Sequence, residues 1–275
     1  MKKPKFAVVV VHGISDKKGD QQENFSKCLA ENVMPDVAIR DGYWLEALWE
    51  KVNDKADDKI QDIILQTIGL YDKTDYFRDA VLEKLQGPKF VKKFAWWYLQ
   101  RKIWNKGTVD TVVKGFDLLL DLPLYLGNPR GERIRKVVVD RIREAKLLNV
   151  EGVVLVGHSL GSVIAYDVVR KSLVDGKSSL PIKAFVTMGS PLAWVTDLRI
   201  AEGDIPNCSC GIGNIPWFNF YDVADPVAMK NKLPEDRFPG MRNEPPIETG
   251  LELVDAHTAY WGRHEIANKI SELIW

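Results

Sequence analysis

Residues 151–166 read EGVVLVGHSLGSVIAY, and this stretch carries the clearest signal for the fold of the chain. The continuous apolar run at 153–156 is typical of a strand buried on both faces, and apolar residues recur at helical spacing over 162–171. Residues 157–161 therefore form a turn from strand to helix with the pattern Gly-x-Ser-x-Gly. A serine on so sharp a turn needs neighbours without bulky side chains, and its hydroxyl then lies above the end of the sheet. Ser159 is the candidate nucleophile.

The same stretch resembles the nucleophile elbow of the α/β-hydrolase fold, in particular that of lipases and esterases, where a histidine such as His158 commonly precedes the serine. The resemblance implies an α/β fold with a mostly parallel central sheet flanked by helices. It also implies catalytic partners in the chain order Ser, then Asp or Glu, then His. Because Gly-x-Ser-x-Gly also occurs in ordinary glycine-rich loops, the rest of the chain has to supply these partners.

The length and composition fit a single α/β domain over 1–275 that carries an insertion. Apolar residues make up 45% and charged residues 28% of the chain, and 38 basic residues balance 38 acidic ones, so the net charge does not indicate nucleic acid as a partner. The three cysteines, Cys28, Cys208 and Cys210, do not form a disulfide framework and favour a reducing, cytoplasmic compartment. Because no second Cys/His pair accompanies Cys208 and Cys210, no metal is expected there.

The basic start of the chain imitates a secretory signal, but the apolar run at 6–11 is short and ends at His12-Gly13 without a cleavage site. We interpret 6–11 as a first strand, 21–33 as a helix, and the aromatic-rich stretch at 43–49 as strand-like at its start. In the family that the chain resembles, the loop after an early strand gives a backbone N–H to the oxyanion hole. The resemblance therefore implies the N–H groups of Ile14 and Leu160 as oxyanion donors, with Gly13 letting the backbone approach the substrate. The alternative is that His12-Gly13 only turns the chain.

Residues from about 51 to about 131 show no strand alternation and predict a helical insertion, which could act as a lid or cap. Within it, 90–104 form an amphipathic segment with aromatic residues on one face and lysines on the others. This face either makes peripheral contact with a membrane or lipid aggregate, as a lipase lid does, or packs on the core with the lysines in water. No segment is long enough to span a bilayer. Residues 131–148 predict an amphipathic helix that leads into the elbow strand.

Two aspartates follow a predicted strand at 217–221 and compete for the role of catalytic acid. Asp225, in Asp-Pro-Val, resembles the acid turn of the lipases better than Asp222, which we expect to brace the loop. Another strand is predicted at 184–188, and Ser190 after it is expected to shape a loop.

Two histidines come after the acid. His257, in a segment that runs to Tyr260-Trp261, resembles the base of the lipase pattern, whereas His264 opens a terminal helix predicted at 265–274. His257 is therefore the implied base. Strand alternation makes His158 point away from the nucleophile, as a packing or bracing residue.

Together these motifs imply a serine hydrolase of lipase or esterase type that cleaves carboxylic esters through an acyl-enzyme. The implied triad is Ser159, Asp225 and His257, and no metal or organic cofactor is needed. The expected substrate is a small-molecule or lipid-like acyl ester. An amide, peptide or thioester hydrolase with the same triad, and a non-catalytic binding protein on a hydrolase scaffold, are the alternatives. The acyl length and the oligomeric state stay open.

Overall fold

A computed structural model describes residues 3–13, 19–49, 125, 130–174, 180–201, 211–225, 227–228, 232–251 and 253–275 of the chain. The predicted insertion at 51–131 lies outside these residues except for Tyr125 and residues 130–131. Ile14, Cys208 and Cys210 lie outside them as well. The single-domain organisation with a helical insertion therefore stays a prediction.

The described part of the chain forms one sheet of six parallel strands in the order β2-β1-β3-β4-β5-β6. The strands are β1 (Phe6–Val11), β2 (Trp44–Ala47), β3 (Gly152–His158), β4 (Ile182–Met188), β5 (Trp217–Phe220) and β6 (Met241–Asn243). The chain adds β2 on one side of β1 and then returns to add β3 on the other. Ligands of open α/β sheets bind outside the carboxyl ends of the strands at such a reversal, here between β1 and β3.

Helices cover both faces of this sheet. They are α1 (Gly19–Val33), α2 (Val37–Tyr43), α3 (Arg130–Lys146), α4 (Leu160–Val174), α5 (Leu192–Ala201), α6 (Leu253–Thr258) and α7 (His264–Ile274), with a 3-10 turn at Ala259–Gly262 between the last two. Among these described helices, none is long and apolar enough to cross a bilayer.

The core is divided by the alternation of side chains along the strands. Val9 and Val11 of β1 belong to one buried cluster with residues of α3, α4 and α5. Val8 and Val10 belong to a second cluster with residues of α1, α7 and the 3-10 turn. Because both faces of the central strands are covered, β3 is buried along its whole length and reads as a continuous apolar run.

Tyr125 lies near the carboxyl end of the predicted insertion and is buried in the first cluster. Its hydroxyl donates to Asp167 Oδ2 on α4 (2.7 Å), and Arg199 on α5 donates to Asp167 Oδ1 (2.7 Å). Tyr125 is thereby tied to the helix that begins at the elbow.

The predicted parallel α/β architecture is confirmed in the described residues. Strands predicted at 6–11, 153–156, 184–188 and 217–221 and helices predicted at 21–33, 131–148, 162–171 and 265–274 are present, with small shifts at their ends. The stretch at 43–49 is a strand at its start, as expected. The elements that the sequence did not predict are α2, α5, α6 and β6. Of these, α6 contains His257, which therefore lies in a short helix.

Candidate functional site

Ser159 occupies the turn between β3 and α4 with a left-handed backbone. Its φ is +55°, and Asn149 is the other described non-glycine residue with a positive φ. This conformation costs a residue with a Cβ about 1–2 kcal/mol, so it persists where surrounding contacts impose it. One such contact is the Ser159 N–H, which donates to the carbonyl oxygen of Met188 at the end of β4 (3.1 Å).

The glycines around the turn are required by close backbone contacts. A Cβ on Gly157 would lie 2.6 Å from Ser162 Cα, and one on Gly161 would lie 2.1 Å from the carbonyl oxygen of Val11. A Cβ on Gly13, in the loop after β1, would lie 2.2 Å from Ser159 Cβ and 2.8 Å from Ser159 Oγ. Gly13 thus gives room to Ser159 itself, in addition to the approach to substrate expected from the sequence.

Two further serines, Ser162 and Ser190, form hydrogen bonds that stabilise the turn at Ser159. Ser162 Oγ donates to the carbonyl oxygen of Ser159 (2.5 Å) and lies 2.7 Å from Ser190 Oγ, which also accepts the N–H of Leu192 (3.3 Å). Because Ser162 has one hydroxyl proton, Ser190 is the donor in the pair of hydroxyls. Ser190 thus makes a contact of the loop-shaping kind expected for it.

The structure brings His257 and Asp225 together in a buried pair. His257 Nδ1 lies 2.9 Å from Asp225 Oδ2 and 3.0 Å from Oδ1. Asp225 Oδ1 also accepts the N–H of Val227 (2.8 Å), and Oδ2 accepts the hydroxyl of Tyr260 (2.8 Å). Burial by itself would raise the pKa of Asp225, but the charge and hydrogen bond of His257 and the donors of Tyr260 and Val227 outweigh it and lower the pKa. Asp225 is therefore an anion that holds a proton on Nδ1 of His257, which leaves Nε2 as the basic nitrogen.

Asp222 has a different set of partners. Its Oδ1 accepts the N–H of Ala224 (2.7 Å), and its Oδ2 accepts both the N–H (3.0 Å) and the hydroxyl (2.6 Å) of Thr249. These bonds join the loop after β5 to the segment before α6. Asp222 therefore makes the bracing contacts expected for it, and Asp225 is the aspartate paired with the histidine.

Tyr260 is a site residue for which no role was predicted from the sequence. Its hydroxyl donates to Asp225 Oδ2 and accepts the backbone N–H of Asp222 (2.8 Å). Burial, together with the negative charge of Asp225, raises the pKa of Tyr260, so the hydroxyl keeps its proton and stays a donor. The signal in the sequence was the Tyr-Trp pair three residues after His257, which the lipase resemblance had already singled out.

Gly189, the residue after β4, is the second site residue that sequence reasoning missed. Its φ is +56°, and a Cβ there would lie 3.0 Å from Asp225 Oδ2, 3.1 Å from His257 Cε1 and 2.8 Å from Tyr260 Cε2. Asp225 and His257 thus pack directly on the backbone of a residue that has no side chain.

Ser159 Oγ and His257 Nε2 are both buried, and neither has a hydrogen-bond partner among the described residues. The nucleophile and base candidates are therefore not hydrogen-bonded to each other in this structure. Catalytic hydrogen bonds of substrate-free sites are often long or misaligned and tighten when substrate binds. Two unpaired polar atoms are costly in a protein interior, and such atoms are concentrated where a ligand is meant to complete the bonding.

Of the two predicted oxyanion donors, Ile14 lies outside the described residues. Leu160 is the first residue of α4, so its N–H has no acceptor within the helix and adds to the positive end of the helix dipole. His12, the first residue after β1, contacts two tryptophans. Its carbonyl oxygen accepts the Nε1–H of Trp49 (2.9 Å), and its ring stacks on Trp261 with centroids 5.1 Å apart.

The other histidine considered as base, His264, is exposed at the start of α7. In the part of the chain that the structure describes, no group of His, Cys, Asp or Glu side chains is arranged to hold a metal ion.

No protein-family model, curated protein or solved structure matches this chain. What the chain does has to be inferred from the geometry of its own residues.

Proposed function

We propose that this chain is a serine hydrolase that cleaves carboxylic esters, with Ser159 as nucleophile, His257 as general base and Asp225 as the acid that orients the base. The observation that carries the proposal is the buried pair of Asp225 and His257, which turns the free Nε2 of the histidine into a base. Ser159, with its left-handed backbone, follows β3 of the same parallel sheet, and its hydroxyl is also without a partner among the described residues.

The sheet topology supports an α/β-hydrolase fold for the chain. Ser159 and Gly13 follow β3 and β1, whose carboxyl ends flank the reversal of strand order. Parallel strands end at the same edge of a sheet, so the loop after β5 brings Asp225 to that edge as well. The fold alone is compatible with many activities, so the chemistry is proposed from the three side chains.

In the proposed reaction, Nε2 of His257 takes the hydroxyl proton of Ser159 while Oγ attacks the ester carbonyl carbon. The carbonyl oxygen becomes an oxyanion, which the N–H groups of Leu160 and Ile14 would stabilise by about 3 kcal/mol each. The intermediate collapses when His257 gives its proton to the leaving alkoxide, and an acyl-enzyme remains. Water then attacks the acyl group by the same sequence, with His257 again as base. Asp225 stabilises the imidazolium in both halves of the reaction.

The substrate is proposed as a small-molecule or lipid-like acyl ester. Amide, peptide and thioester hydrolysis use the same residues, so they are distinguished by the leaving group that is accepted and not by the triad. A lid or peripheral membrane contact would come from the predicted insertion and is not needed for the chemistry.

The first test is covalent labelling with a fluorophosphonate, read by intact mass and peptide mapping. We expect one adduct, on Ser159, that is absent from Ser159→Ala and formed at least about 100-fold more slowly by His257→Gln. Ser172→Ala is the matched control, because Ser172 lies on α4 and its hydroxyl donates to the Val169 carbonyl oxygen (2.8 Å). A folded wild type that takes up no label and hydrolyses no ester would contradict the proposal and favour a binding protein.

The second test defines the acid and the substrate class. Asp225→Asn is expected to lower kcat by a factor of about 10⁴, as removal of the orienting carboxylate does in other serine hydrolases. Asp222→Asn is expected to act on stability, because its partners are backbone groups and Thr249. Rates with p-nitrophenyl esters of rising chain length, a matched anilide and a matched thioester separate esterase, lipase, amidase and thioesterase.

A further inference from the structure

The side chain of His158, next to the nucleophile, is bonded to the backbone of the proposed base. Its Nε2–H donates to the carbonyl oxygen of His257 (2.8 Å) across 99 residues of sequence. A carbonyl oxygen accepts and does not donate, so this bond fixes the proton of the neutral ring on Nε2. The bond joins the last residue of β3 to α6.

The ring of His158 is held in place by aromatic neighbours. Its centroid lies 4.7 Å from that of His257, at an interplanar angle of 31°, and 5.1 Å from that of Trp261 in an edge-on arrangement. Tyr260, which holds the acid, packs 5.9 Å away. Side chains packed on several sides keep one rotamer, so the donor is fixed in direction as well as in place.

His158 is also kept neutral. Burial of the ring, followed by the charge that His257 carries when protonated, lowers the pKa of His158 to about 3. The side chain therefore donates the same hydrogen bond throughout the pH range in which a histidine base works. It also adds no second positive charge beside the imidazolium that forms during the reaction.

We propose that His158 is a positioning residue that holds the backbone of His257 at a fixed place relative to Ser159. The proposal rests on the function proposed above. Asp225 binds Nδ1 of the His257 ring, and His158 binds the backbone carbonyl of His257. These two anchors, the hydrogen bonds of a residue on β3 and of one in the loop after β5, leave Nε2 without a partner among the described residues. Because His158 and Ser159 are consecutive residues, the bond from His158 holds the backbone of His257 at a fixed place relative to the nucleophile. A displacement of about 1 Å in such a pair costs about 100-fold in rate.

The tautomer and the charge of His158 are tested on the wild type by ¹⁵N NMR with labelled histidine, which gives four rings to assign. We expect one ring in the Nε2–H form that does not titrate between about pH 5 and pH 8, and its signal should be missing from His158→Gln. An Nδ1–H form, or titration of this ring in that range, would overturn the proposal.

The positioning role is tested by comparing two amides of different reach. The amide nitrogen of Gln occupies the position of Nε2 and can donate to the His257 carbonyl, whereas the shorter Asn cannot reach it. We expect His158→Asn to lower kcat for a p-nitrophenyl ester by about 10–100-fold with KM within about two-fold, and His158→Gln to stay within about five-fold of the wild type. His264→Asn, at an exposed histidine, is the control and should behave as the wild type.

The outcomes separate this proposal from the one it rests on. A wild type without label on Ser159 and without esterase activity refutes the proposed function. An active wild type with an equally active His158→Asn, or with equal losses in the Gln and Asn variants, refutes the positioning role. Melting curves of all variants show whether a loss of rate follows a loss of folded protein. If His158→Asn does not fold, a loss of more than about ten-fold in folded His158→Gln still overturns the proposal.

Discussion

Acid should unfold this protein partly through one histidine, His158. The folded ring has a pKa of about 3 because it is buried, whereas its ordinary value is 6.5. As the pH falls below 6.5, the unfolded chain binds a proton at this residue that the folded chain does not bind. The stabilising contribution is therefore fully present above 6.5 and is lost progressively as the pH falls toward 3.

The size of the effect follows from these two values. At about pH 5 the unfolded ring is almost fully protonated and the folded ring is almost fully neutral. Proton linkage then removes about 2 kcal/mol from the free energy of unfolding, relative to about pH 7.5. This is a large share of the stability of an ordinary domain.

The assay is urea unfolding of the wild type and of His158→Gln at several values between about pH 7.5 and pH 5. Since other titrating groups are common to both proteins, the difference between their free energies of unfolding isolates His158. We expect the wild type to lose about 2 kcal/mol relative to the variant over this range. His264→Gln controls for the removal of a histidine as such. Parallel stability curves for the wild type and His158→Gln would refute the reasoning.

Three further predictions concern the backbone conformation of the site and the hydrogen bonds of a tyrosine beside it. The free energy of unfolding of Ser159→Gly should be about 1 kcal/mol higher than that of Ser159→Ala, since glycine adopts φ of +55° without strain. Both variants should lose activity, and equal stability of the two would show that the turn is unstrained. Gly189→Ala should cost about 2–3 kcal/mol and lower kcat at least ten-fold, whereas Gly213→Ala, at φ of +67° with nothing within 4 Å, should cost about 1–2 kcal/mol and leave kcat unchanged. Tyr260→Phe leaves the N–H of Asp222 unpaired and should cost about 1–3 kcal/mol and also lower kcat. Tyr125→Phe, which removes a buried hydroxyl bond to Asp167, should cost a similar amount in urea unfolding without a change in kcat.

The parts of the fold that could be predicted are those with a local signal. The central strands β1 and β3 are covered on both faces, so they are continuous apolar runs, and the elbow between β3 and α4 needs glycines at fixed spacing. The missed strand β6 has three residues and no apolar period. It is held by side-chain bonds of Asn243, which accepts from Asn219 Nδ2 (3.0 Å) and donates to the carbonyl oxygen of Leu233 (2.9 Å). Such bonds depend on tertiary neighbours and leave no local pattern.

The candidate site divides in the same way. Asp225 and His257 could be chosen from their order in the chain and from local turn residues, and the structure pairs them. Tyr260 and Gly189 could not be given a role, because their contacts with Asp225 join segments that are remote in sequence. Strand alternation predicts that the side chain of His158 points away from the nucleophile. It could not show that α6 brings the backbone of His257 to the side chain of His158.

The long sequence separation between the two ends of the His158–His257 bond has a consequence for synthesis of the protein on the ribosome. The 99 residues between these ends take about 5–20 s to translate at about 5–20 residues per second. During that interval the strand that leads to Ser159 exists without the segment that carries His257, its proposed base. If Ser159 and His257 act as proposed, a nascent chain should stay unreactive toward esters and fluorophosphonates until α6 has been made, so reactivity at Ser159 would report the docking of α6 on β3.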